Sequence, residues 1–379
     1  MAAVDAIDLT RKLIGFNTVN PPGNEAEAVR YVAHLLAEAG FDIGFESFAP
    51  GRLSLVARMG GRNDDASSLP ICFTGHIDTV PLGWADWTVR PFDAAIIGGR
   101  LYGRGASDMK SGVAAMIAAA IRSAPVLRDG PGLTLVLTAG EETGCEGATH
   151  LVACNPDLRF GAMVVGEPTG NQPRVGHKGA LWMVAESHGL TAHGSMPELG
   201  VNAIFRSLKV LSKLQDYGFN VKPHPGLGSP TLNVGRMLGG LNINSVPDRA
   251  EIGLDIRTIP EMQHGSFVDS FRQYLSPELD GLSLVVDLQG VWTDPGNEWV
   301  QAVCSRIGFD WGPEGAAGVP FFTDASILKP ALGDPPTLIL GPGETEMAHQ
   351  TDEYCLVDRI SEAVDIYSDI ILSWQDGAP

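Results

Sequence analysis

The chain has 379 residues, of which 44% are hydrophobic and 19% are charged, and its formal net charge is −19. So acidic a surface repels phosphate backbones and anionic headgroups, which argues against nucleic acid or an acidic membrane as partner. A single hydrophobic core stops growing near about 250 to 300 residues, so we expect more than one domain.

The N-terminal sequence and the cysteines indicate the cellular compartment in which we expect the protein. The start, MAAVDAIDLTRKL, lacks the basic, then apolar, then small-residue order of a secretory signal. The five cysteines, Cys72, Cys145, Cys154, Cys304 and Cys355, are odd in number and form no C-x-x-C pair, which is typical of a reducing compartment. No apolar run approaches the ~20 residues that span a bilayer. We therefore expect a cytoplasmic protein with no membrane partner.

The first informative segment is ICFTGHIDTV, residues 71–80. A short apolar run stops at Gly75, and His76 and Asp78 follow two positions apart. Alternate residues of an extended strand point the same way, so an imidazole and a carboxylate leave the strand end on one side. This pair suits a metal site, because a carboxylate partner fixes the tautomer of a ligating histidine. Taken alone, it is more often a solvated or structural hydrogen bond.

The next segment is LYGRGASDMKSG, which leads into VAAMIAAAIRSA. The Ala, Met and Ile content of the second part predicts a buried helix, and the ordinary interpretation of Asp108 before it is an N-cap. Gly103 and Gly105 also resemble the start of a phosphate-binding G-x-G-x-x-G. We reject a nucleotide site, because Asp108 replaces the third glycine and puts a negative charge where a pyrophosphate would lie.

Three more apolar runs end in acidic residues or histidine. LTLVLT leads to Glu141 and Glu142, residues 162–165 lead to Glu167, and residues 337–340 open into the segment that carries His349. Short buried runs bounded by glycine are typical of strands in a mostly parallel sheet. In open α/β sheets ligands bind beyond the carboxyl ends of such strands. A solvated loop charge is the better interpretation of any one motif, but a poor one for all of them together.

These motifs offer five candidate metal ligands: His76, Asp108, Glu142, Glu167 and His349. Imidazole and carboxylate without thiolate suit Zn²⁺ or a similar divalent ion in an open, catalytic site. Five ligands are awkward for one ion but natural for two ions that share a carboxylate. A carboxylate outside the ligand set is then needed to take a proton from the attacking water, and Glu141 is the candidate.

Five motifs carry a family resemblance: GHIDTVP, LYGRGASDMKSG, TAGEETG, VGEPT and AHQTDE. In this order, and over nearly the whole chain, they resemble the two-zinc amidohydrolases that include acetylornithine deacetylase, succinyl-diaminopimelate desuccinylase, aminoacylase and glutamate carboxypeptidase. The resemblance implies two divalent ions. Zn²⁺ is the implied metal, although the same ligands accept Co²⁺ and Mn²⁺.

The resemblance also implies a role for each site residue. His76, Asp108 and Glu167 would hold one ion. Asp108, Glu142 and His349 would hold the other, so that Asp108 bridges the two. Asp78 would orient His76, and Glu141 would act as general base and then deliver the proton to the leaving amine.

From about residue 179 to 291 the pattern changes to strand, helix, two strands, helix and strand. Two helices against an antiparallel sheet form a small α+β layer of their own. We predict that this layer interrupts a catalytic domain formed by residues 1–178 and 292–379. That domain would be α/β, with a mostly parallel sheet flanked by helices, and the resemblance implies a zinc-exopeptidase-like fold. It further implies that residues 179–291 are a lid and dimerisation domain, so we expect a homodimer.

Three residues of this inserted layer match substrate-contacting positions in the resembled family. His193 in LTAHGSMP matches a histidine that reaches the partner subunit's active site and stabilises the oxyanion. Asn244 in LNINSVPD and Arg257 in LDIRT match residues that engage the substrate, Arg257 through the substrate carboxylate. Without the resemblance, the three would be a loop histidine, a turn residue and a surface cation on a strand.

Two further segments concern neighbours of the site. Lys110 follows Asp108 closely, and we expect it to pair with a nearby carboxylate. Thr323 and Asp324 lie where the resembled family has a loop near the site, which leaves open a hydrogen bond to substrate or backbone. Desuccinylases often carry an arginine near this point, and its absence from the sequence 325–327 argues against a strict desuccinylase.

The sequence thus predicts a dinuclear metal-dependent amidohydrolase. Its substrate would be a small molecule, an N-acyl amino acid or a short peptide with a free carboxylate. Two alternatives stay open. The same site could hydrolyse a non-peptide C–N bond, such as that of an aryl amine or carbamoyl compound, or the chain could be a non-catalytic, metal-stabilised binding protein. The second is disfavoured by Glu141, since a binding protein has no use for a carboxylate outside the ligand set.

Overall fold

The computed structural model describes residues 4–61, 69–312 and 315–377. The chain divides into two compact units. The larger unit comprises Met1–Gly176, Trp292–Ala317 and Thr323–Pro379. The smaller unit comprises His177–Val291 together with the short segment Gly318–Phe322.

Both helices and strands occur throughout the described residues. The helices are α1 Ala6–Ile14, α2 Ala26–Ala39, α3 Ser111–Leu127, α4 Glu146–Cys154, α5 Ala203–Gln215, α6 His264–Leu275, α7 Glu298–Arg306, α8 Ala325–Ala331 and α9 Val357–Gln375. The strands are β1 Asp42–Ala49, β2 Arg52–Met59, β3 Ile71–His76, β4 Ile96–Ile97, β5 Arg100–Tyr102, β6 Leu133–Thr138, β7 Ala162–Val165, β8 Gly176–His177, β9 Gly179–His188, β10 Thr231–Gly239, β11 Arg249–Thr258, β12 Gly281–Leu288, β13 Val291–Trp292, β14 Thr337–Ile339 and β15 Tyr354–Leu356. Short helical turns occur at Ala106–Lys110, Pro197–Leu199 and Thr345–Met347.

The larger unit is built on a six-stranded sheet of order β1-β2-β6-β3-β7-β14. The pairings β6–β3, β3–β7 and β7–β14 are parallel, and the pairings of β1 with β2 and of β2 with β6 are antiparallel. The predicted α/β class with a helix-flanked sheet is therefore confirmed, with two antiparallel strands that make the sheet mixed. His76 lies opposite Thr138 in the register of β3 and β6, so these strands end at the same edge.

Burial explains why the central strands have no alternating pattern. β3, β6 and β7 are buried at every position, since helices cover both faces of a parallel sheet. Phe73 of β3 packs edge-on against Tyr367 of α9, with 5.3 Å between the ring centroids. The small side chains of α3 allow this helix to be buried nearly all round.

One helical segment has the length and composition of a membrane span, contrary to our expectation from the sequence. It is Ala106–Leu127, with 22 residues, and 83% of its most apolar part is buried inside the protein. An alanine-rich core helix that is covered on most sides passes the same test as a span. The segment therefore packs as the core helix of its unit.

The smaller unit contains the antiparallel sheet β10-β11-β9-β12 with α5 and α6. Alternate residues of β11 are buried, as the period of a half-buried strand requires. Leu181 and Leu254 from the sheet form a core with Val210 of α5 and Phe271 of α6, so both helices cover one face. The order of strands and helices predicted for this segment is confirmed.

Candidate metal centre

The five predicted ligands come together in the larger unit. His76 is the last residue of β3, and Glu142 and Glu167 follow the ends of β6 and β7. Asp108 lies in the helical turn before α3, and His349 lies in the loop between β14 and β15. Because parallel strands end at one edge of the sheet, three separate loops deliver their side chains to the same place. We call these five residues the Asp108 cluster.

Asp108 lies between the two imidazoles. His76 Nε2 is 3.1 Å from Asp108 Oδ1, and His349 Nε2 is 3.3 Å from Asp108 Oδ2. On either side, His76 Nε2 is 3.7 Å from Glu167 Oε1, and His349 Nε2 is 3.2 Å from Glu142 Oε2. Each oxygen of the Asp108 carboxylate thus faces a different histidine, and each histidine also lies beside a different flanking acid. This is the arrangement that a carboxylate shared by two cations requires.

The donor set agrees with bound divalent ions. Ligand atoms of His76, Asp108 and Glu142 lie within 4.8 Å of one another. Glu142 Oε1 is buried and has no hydrogen-bond partner within the described residues, and a buried carboxylate oxygen is costly to leave unsatisfied. Nitrogen and oxygen donors without a thiolate suit Zn²⁺, Co²⁺ or Mn²⁺.

Asp78 contacts His76 mainly through its backbone. His76 Nδ1 is 2.9 Å from the Asp78 carbonyl oxygen and 3.7 Å from the Asp78 carboxylate. A carbonyl can only accept, so Nδ1 carries the hydrogen and the Nε2 lone pair faces the cluster. The Asp78 carboxylate instead accepts the backbone N–H of Gly140 and Glu141, at 2.9 and 3.1 Å. It therefore anchors the turn that presents Glu141.

Crowded, buried carboxylates perturb the titration of the site. Burial raises the pKa of Glu141 well above its usual range, and Glu167 and Glu142 raise it further against the opposing effect of His76. Burial lowers the pKa of His349, but its hydrogen bonds to Asp108 and Glu142 outweigh burial and raise the pKa to about 10. With no cation bound, the raised pKa values mean that these side chains hold their protons more tightly than usual. A bound cation would displace the protons, because metal ligands must be deprotonated.

Glu353 is a functional residue that the sequence reasoning missed. It is fully buried and accepts the backbone N–H of Ser107 and Asp108 at 2.8 and 3.0 Å, and that of Gly105 at 3.0 Å. It also pairs with buried Arg104, with 2.7 Å between Nη1 and Oε2. Glu353 therefore shapes the turn that presents Asp108. Its position in AHQTDE, an acid with no assigned ligand role, was the available signal.

Replacing Glu353 with Gln should lower the free energy of unfolding by about 3 kcal/mol, because it leaves the buried Arg104 guanidinium without its countercharge. Asp365→Asn is the matched control, since Asp365 forms an exposed pair with Arg122 at 2.6 Å. We expect the control to lose less than about 1 kcal/mol. Denaturant titration measures both values. Equal losses in the two variants would contradict a structural role for the buried pair.

Lys110 and Asp324 are buried neighbours of the site, and the structure shows which atoms they contact. Lys110 was expected to pair with a carboxylate, but its ammonium donates to the backbone carbonyl of Phe16 at 2.9 Å. Lys110 is fully buried, and burial lowers its pKa to about 7, so a neutral carbonyl partner is tolerated. Asp324 is buried and accepts a short hydrogen bond from the Thr138 hydroxyl, and burial raises its pKa to about 6.

The three predicted substrate-binding residues lie in the smaller unit. His193 and Asn244 are both exposed. Their segments are adjacent, because Gly194 donates its N–H to the Asn244 carbonyl at 2.8 Å. His193 Nδ1 lies 3.2 Å from the backbone nitrogen of Ser195. Since that N–H can only donate, Nδ1 accepts and Nε2 is left as the donor. Arg257 pairs with Asp255 at 2.9 Å and lies 5.5 Å from the Phe322 ring centre.

Comparison with known proteins gives consistent matches over the chain. The model of peptidase family M20/M25/M40 matches residues 72–373. A probable succinyl-diaminopimelate desuccinylase of Staphylococcus epidermidis is 29% identical, with 98% of each chain covered. An acetylornithine deacetylase of Proteus mirabilis is 32% identical over 92% of this chain and 91% of its own. The solved M20 family metallo-carboxypeptidase of Sulfolobus solfataricus shares the fold at 18% identity, with a TM-score of 0.79 over 98% of this chain and 100% of its own.

Proposed function

The chain belongs to peptidase family M20/M25/M40 and is a metal-dependent hydrolase of C–N bonds, and from this premise we propose that it cleaves the amide bond of an N-acyl amino acid or short peptide with a free carboxylate. The observation that carries the proposal is the position of Asp108 between His76 and His349, at 3.1 and 3.3 Å. Relatives named desuccinylase and deacetylase support an acylated amino acid as substrate.

We propose that His76, Asp108 and Glu167 hold one ion and that Asp108, Glu142 and His349 hold the other. Two divalent ions, which we take to be Zn²⁺, would supply an activated water and a positive charge for the developing oxyanion. The charge around the site supports two cations rather than one. Four acids lie beside only two histidines: Glu141 and Glu167 are buried, and Asp108 and Glu142 are partly buried. Asp78 supports the site by orienting His76 through its carbonyl.

We assign the proton transfers to Glu141. This residue is 5% exposed, and burial together with neighbouring carboxylates raises its pKa, so its carboxylate holds a proton more readily than a solvated glutamate. Glu141 would take a proton from the attacking water at a carboxylate oxygen and then give it to the amide nitrogen as the C–N bond breaks. A carboxylate whose pKa is raised in this direction is better matched to both steps than a solvated glutamate.

The smaller unit would contribute the substrate contacts. The Nε2 hydrogen of His193 can donate to an oxyanion, and we propose that it does so in the active site of a partner subunit. Arg257 would bind the substrate carboxylate, and its guanidinium has more donors than the single Asp255 carboxylate can accept. Asn244, beside His193, would hydrogen-bond the substrate as well.

We further propose a cytoplasmic homodimer formed through the smaller unit. β10 lies at the edge of its sheet, and the segment after it carries Leu241 and Ile243, which are fully exposed. Phe205 and Leu238 are exposed on the same unit. Large apolar side chains in full contact with water, next to an unpaired strand edge, support association with a second copy.

Ile243→Asp should shift the protein from dimer to monomer, because a buried carboxylate would face the partner subunit. Ile97→Asp is the matched control, since Ile97 is an exposed isoleucine of the larger unit. Sedimentation velocity at micromolar concentration measures the change. If the wild-type protein sediments as a monomer, or if both variants keep the wild-type mass, this interface is wrong.

A panel of N-acetyl, N-succinyl and dipeptide substrates, assayed with metal-stripped protein before and after Zn²⁺, Co²⁺ or Mn²⁺ addition, tests the proposed function. We expect turnover of at least one panel member that is lost on stripping and restored by a divalent ion. Restored metal without turnover of any panel member would favour hydrolysis of a non-peptide C–N bond. Binding of a panel member with no hydrolysis would favour a binding protein.

Arg257→Ala should raise KM for a carboxylate-bearing substrate by roughly tenfold to a hundredfold, since a charged hydrogen bond contributes about 1.5 to 3 kcal/mol. The matched control is Arg249→Ala, because Arg249 lies on the same strand and pairs with Glu186. We expect the control to leave KM unchanged. Steady-state kinetics on the substrate and its methyl ester measures the effect, and an unchanged KM for Arg257→Ala would remove this residue from the site.

A further inference from the structure

Three side chains away from the Asp108 cluster form a compact group with mixed donors. They are Glu46 of β1 and His150 and Cys154 of α4, and we call them the Cys154 cluster. Cys154 Sγ lies 3.5 Å from His150 Nε2, and ligand atoms of all three lie within 4.8 Å of one another. We propose that the Cys154 cluster is a second, independent metal site that binds one Zn²⁺ or a similar borderline-soft divalent ion.

The secondary structure holds the three donors in place. His150 and Cys154 are four residues apart on α4, so both side chains project from the same face of the helix. Glu46 approaches from β1, whose register is set by pairing with β2 and places Glu46 opposite Ser54. Two ligands from one helical turn and one from a strand form a site that does not depend on a flexible loop.

Neighbouring side chains orient two of the donors. Asn155 donates through Nδ2 to Glu46 Oε1 and to the Leu151 carbonyl oxygen, both at 3.0 Å. This amide fixes one carboxylate oxygen. The ring of Phe48 lies 6.2 Å from the His150 ring and limits where the imidazole can turn. Hydrogen bonds from residues outside the ligand set orient ligands in this way at metal sites.

The chemistry of the donors selects the metal. A thiolate, an imidazole and a carboxylate together suit Zn²⁺ or Co²⁺, whereas Mg²⁺ prefers oxygen ligands and Mn²⁺ binds thiolate more weakly than Zn²⁺ does. On binding, Cys154 loses its S–H proton to solvent and the sulfur lone pair forms the metal bond. The three protein ligands leave a fourth, tetrahedral position for water. The alternative is a plain hydrogen bond between Cys154 and His150 with no metal.

The two metal sites share no residue. The turn that contains Glu141 and Glu142 precedes α4, whereas Cys154 ends this nine-residue helix. The Asp108 cluster also contains no thiolate, so any sulfur–metal signal reports on the Cys154 cluster. The other cysteines, Cys72, Cys145, Cys304 and Cys355, are buried, whereas Cys154 is exposed. A soluble thiol reagent should therefore react first at Cys154.

The test is the rate at which a chromogenic disulfide reagent labels Cys154 in the folded, full-length protein, with and without Zn²⁺. We expect Zn²⁺ to slow labelling by about tenfold or more, because the metal-bound sulfur lone pair is no longer available. Co²⁺ should also produce a sulfur-to-metal charge-transfer absorption, which Cys154→Ala abolishes. His150→Ala and Glu46→Gln should lose the protection, and Asn155→Ala should weaken the Zn²⁺ affinity by about tenfold.

His34→Ala is the matched control, since His34 is an exposed helical histidine that pairs with Glu38 at 3.4 Å. It should keep full protection, and so should His349→Ala, which alters the Asp108 cluster alone. Two results would overturn the proposal. One is a labelling rate that Zn²⁺ does not change in the wild-type protein. The other is protection that survives unchanged in both His150→Ala and Glu46→Gln, which would show that Zn²⁺ reaches Cys154 without the other two proposed ligands.

Discussion

Glu141→Gln is expected to lower kcat by roughly 10²- to 10⁴-fold, the usual contribution of a general base, while both metal ions stay bound. Glutamine has nearly the same shape as glutamate but cannot take a proton from water. Glu141 is also outside the proposed ligand set, so metal content should be unchanged. Initial-rate kinetics on an active substrate and elemental analysis of the same sample measure the two quantities.

The control for Glu141→Gln is Glu38→Gln, which makes the same chemical change at an exposed position of α2. It should leave kcat and metal content at wild-type values. KM for Glu141→Gln should change less than kcat, because the base acts mainly on the transition state. Near-wild-type turnover by Glu141→Gln would rule out its role as base. A large loss of metal would instead place Glu141 among the ligands.

Asp108→Asn is expected to have a comparable or greater effect, with the loss of at least one metal ion per chain and of roughly 10³-fold or more in kcat. Both histidines of the cluster face Asp108, at 3.1 and 3.3 Å, so removing its charge weakens both proposed ion sites at once. An amide also coordinates far more weakly than a carboxylate. Elemental analysis after extensive dialysis and the rate with added metal together measure this result.

Asp129→Asn is the matched control for Asp108→Asn, because Asp129 is an exposed residue beyond the other end of α3. We expect it to keep full metal content and activity. Restoration of Asp108→Asn to the wild-type rate by excess Zn²⁺ would show that Asp108 tunes affinity without bridging. Full metal content in Asp108→Asn would contradict the two-ion assignment, since one shared ligand is its central feature.

The local sequence predicted much of the fold. Apolar runs bounded by glycine indicated the strands β3, β6, β7 and β14 close to their observed limits. The switch to alternating and helical periodicity predicted the elements of the smaller unit in the correct order. These signals are short-range, because the side-chain periods of strands and helices are properties of a few consecutive residues.

The sequence also indicated the residues of the Asp108 cluster as candidate metal ligands, because each lies where an apolar strand ends or a buried helix begins. Chemistry alone made imidazoles and carboxylates in such places candidates for a metal. Their order along the chain carried the family resemblance. The sequence could not give the distance between any two of these residues.

Only the tertiary structure decided how these residues meet. The position of Asp108 between His76 and His349 depends on the order of the strands in the sheet. The hydrogen bond from the Asp108 backbone N–H to Glu353 joins two segments that are far apart in the chain. The bond from Lys110 to the carbonyl of Phe16 also joins residues that are distant in the sequence. The same is true of Glu46, which lies on a strand and meets His150 and Cys154 on a helix. Long-range packing sets which side chains become neighbours, and no local period encodes it.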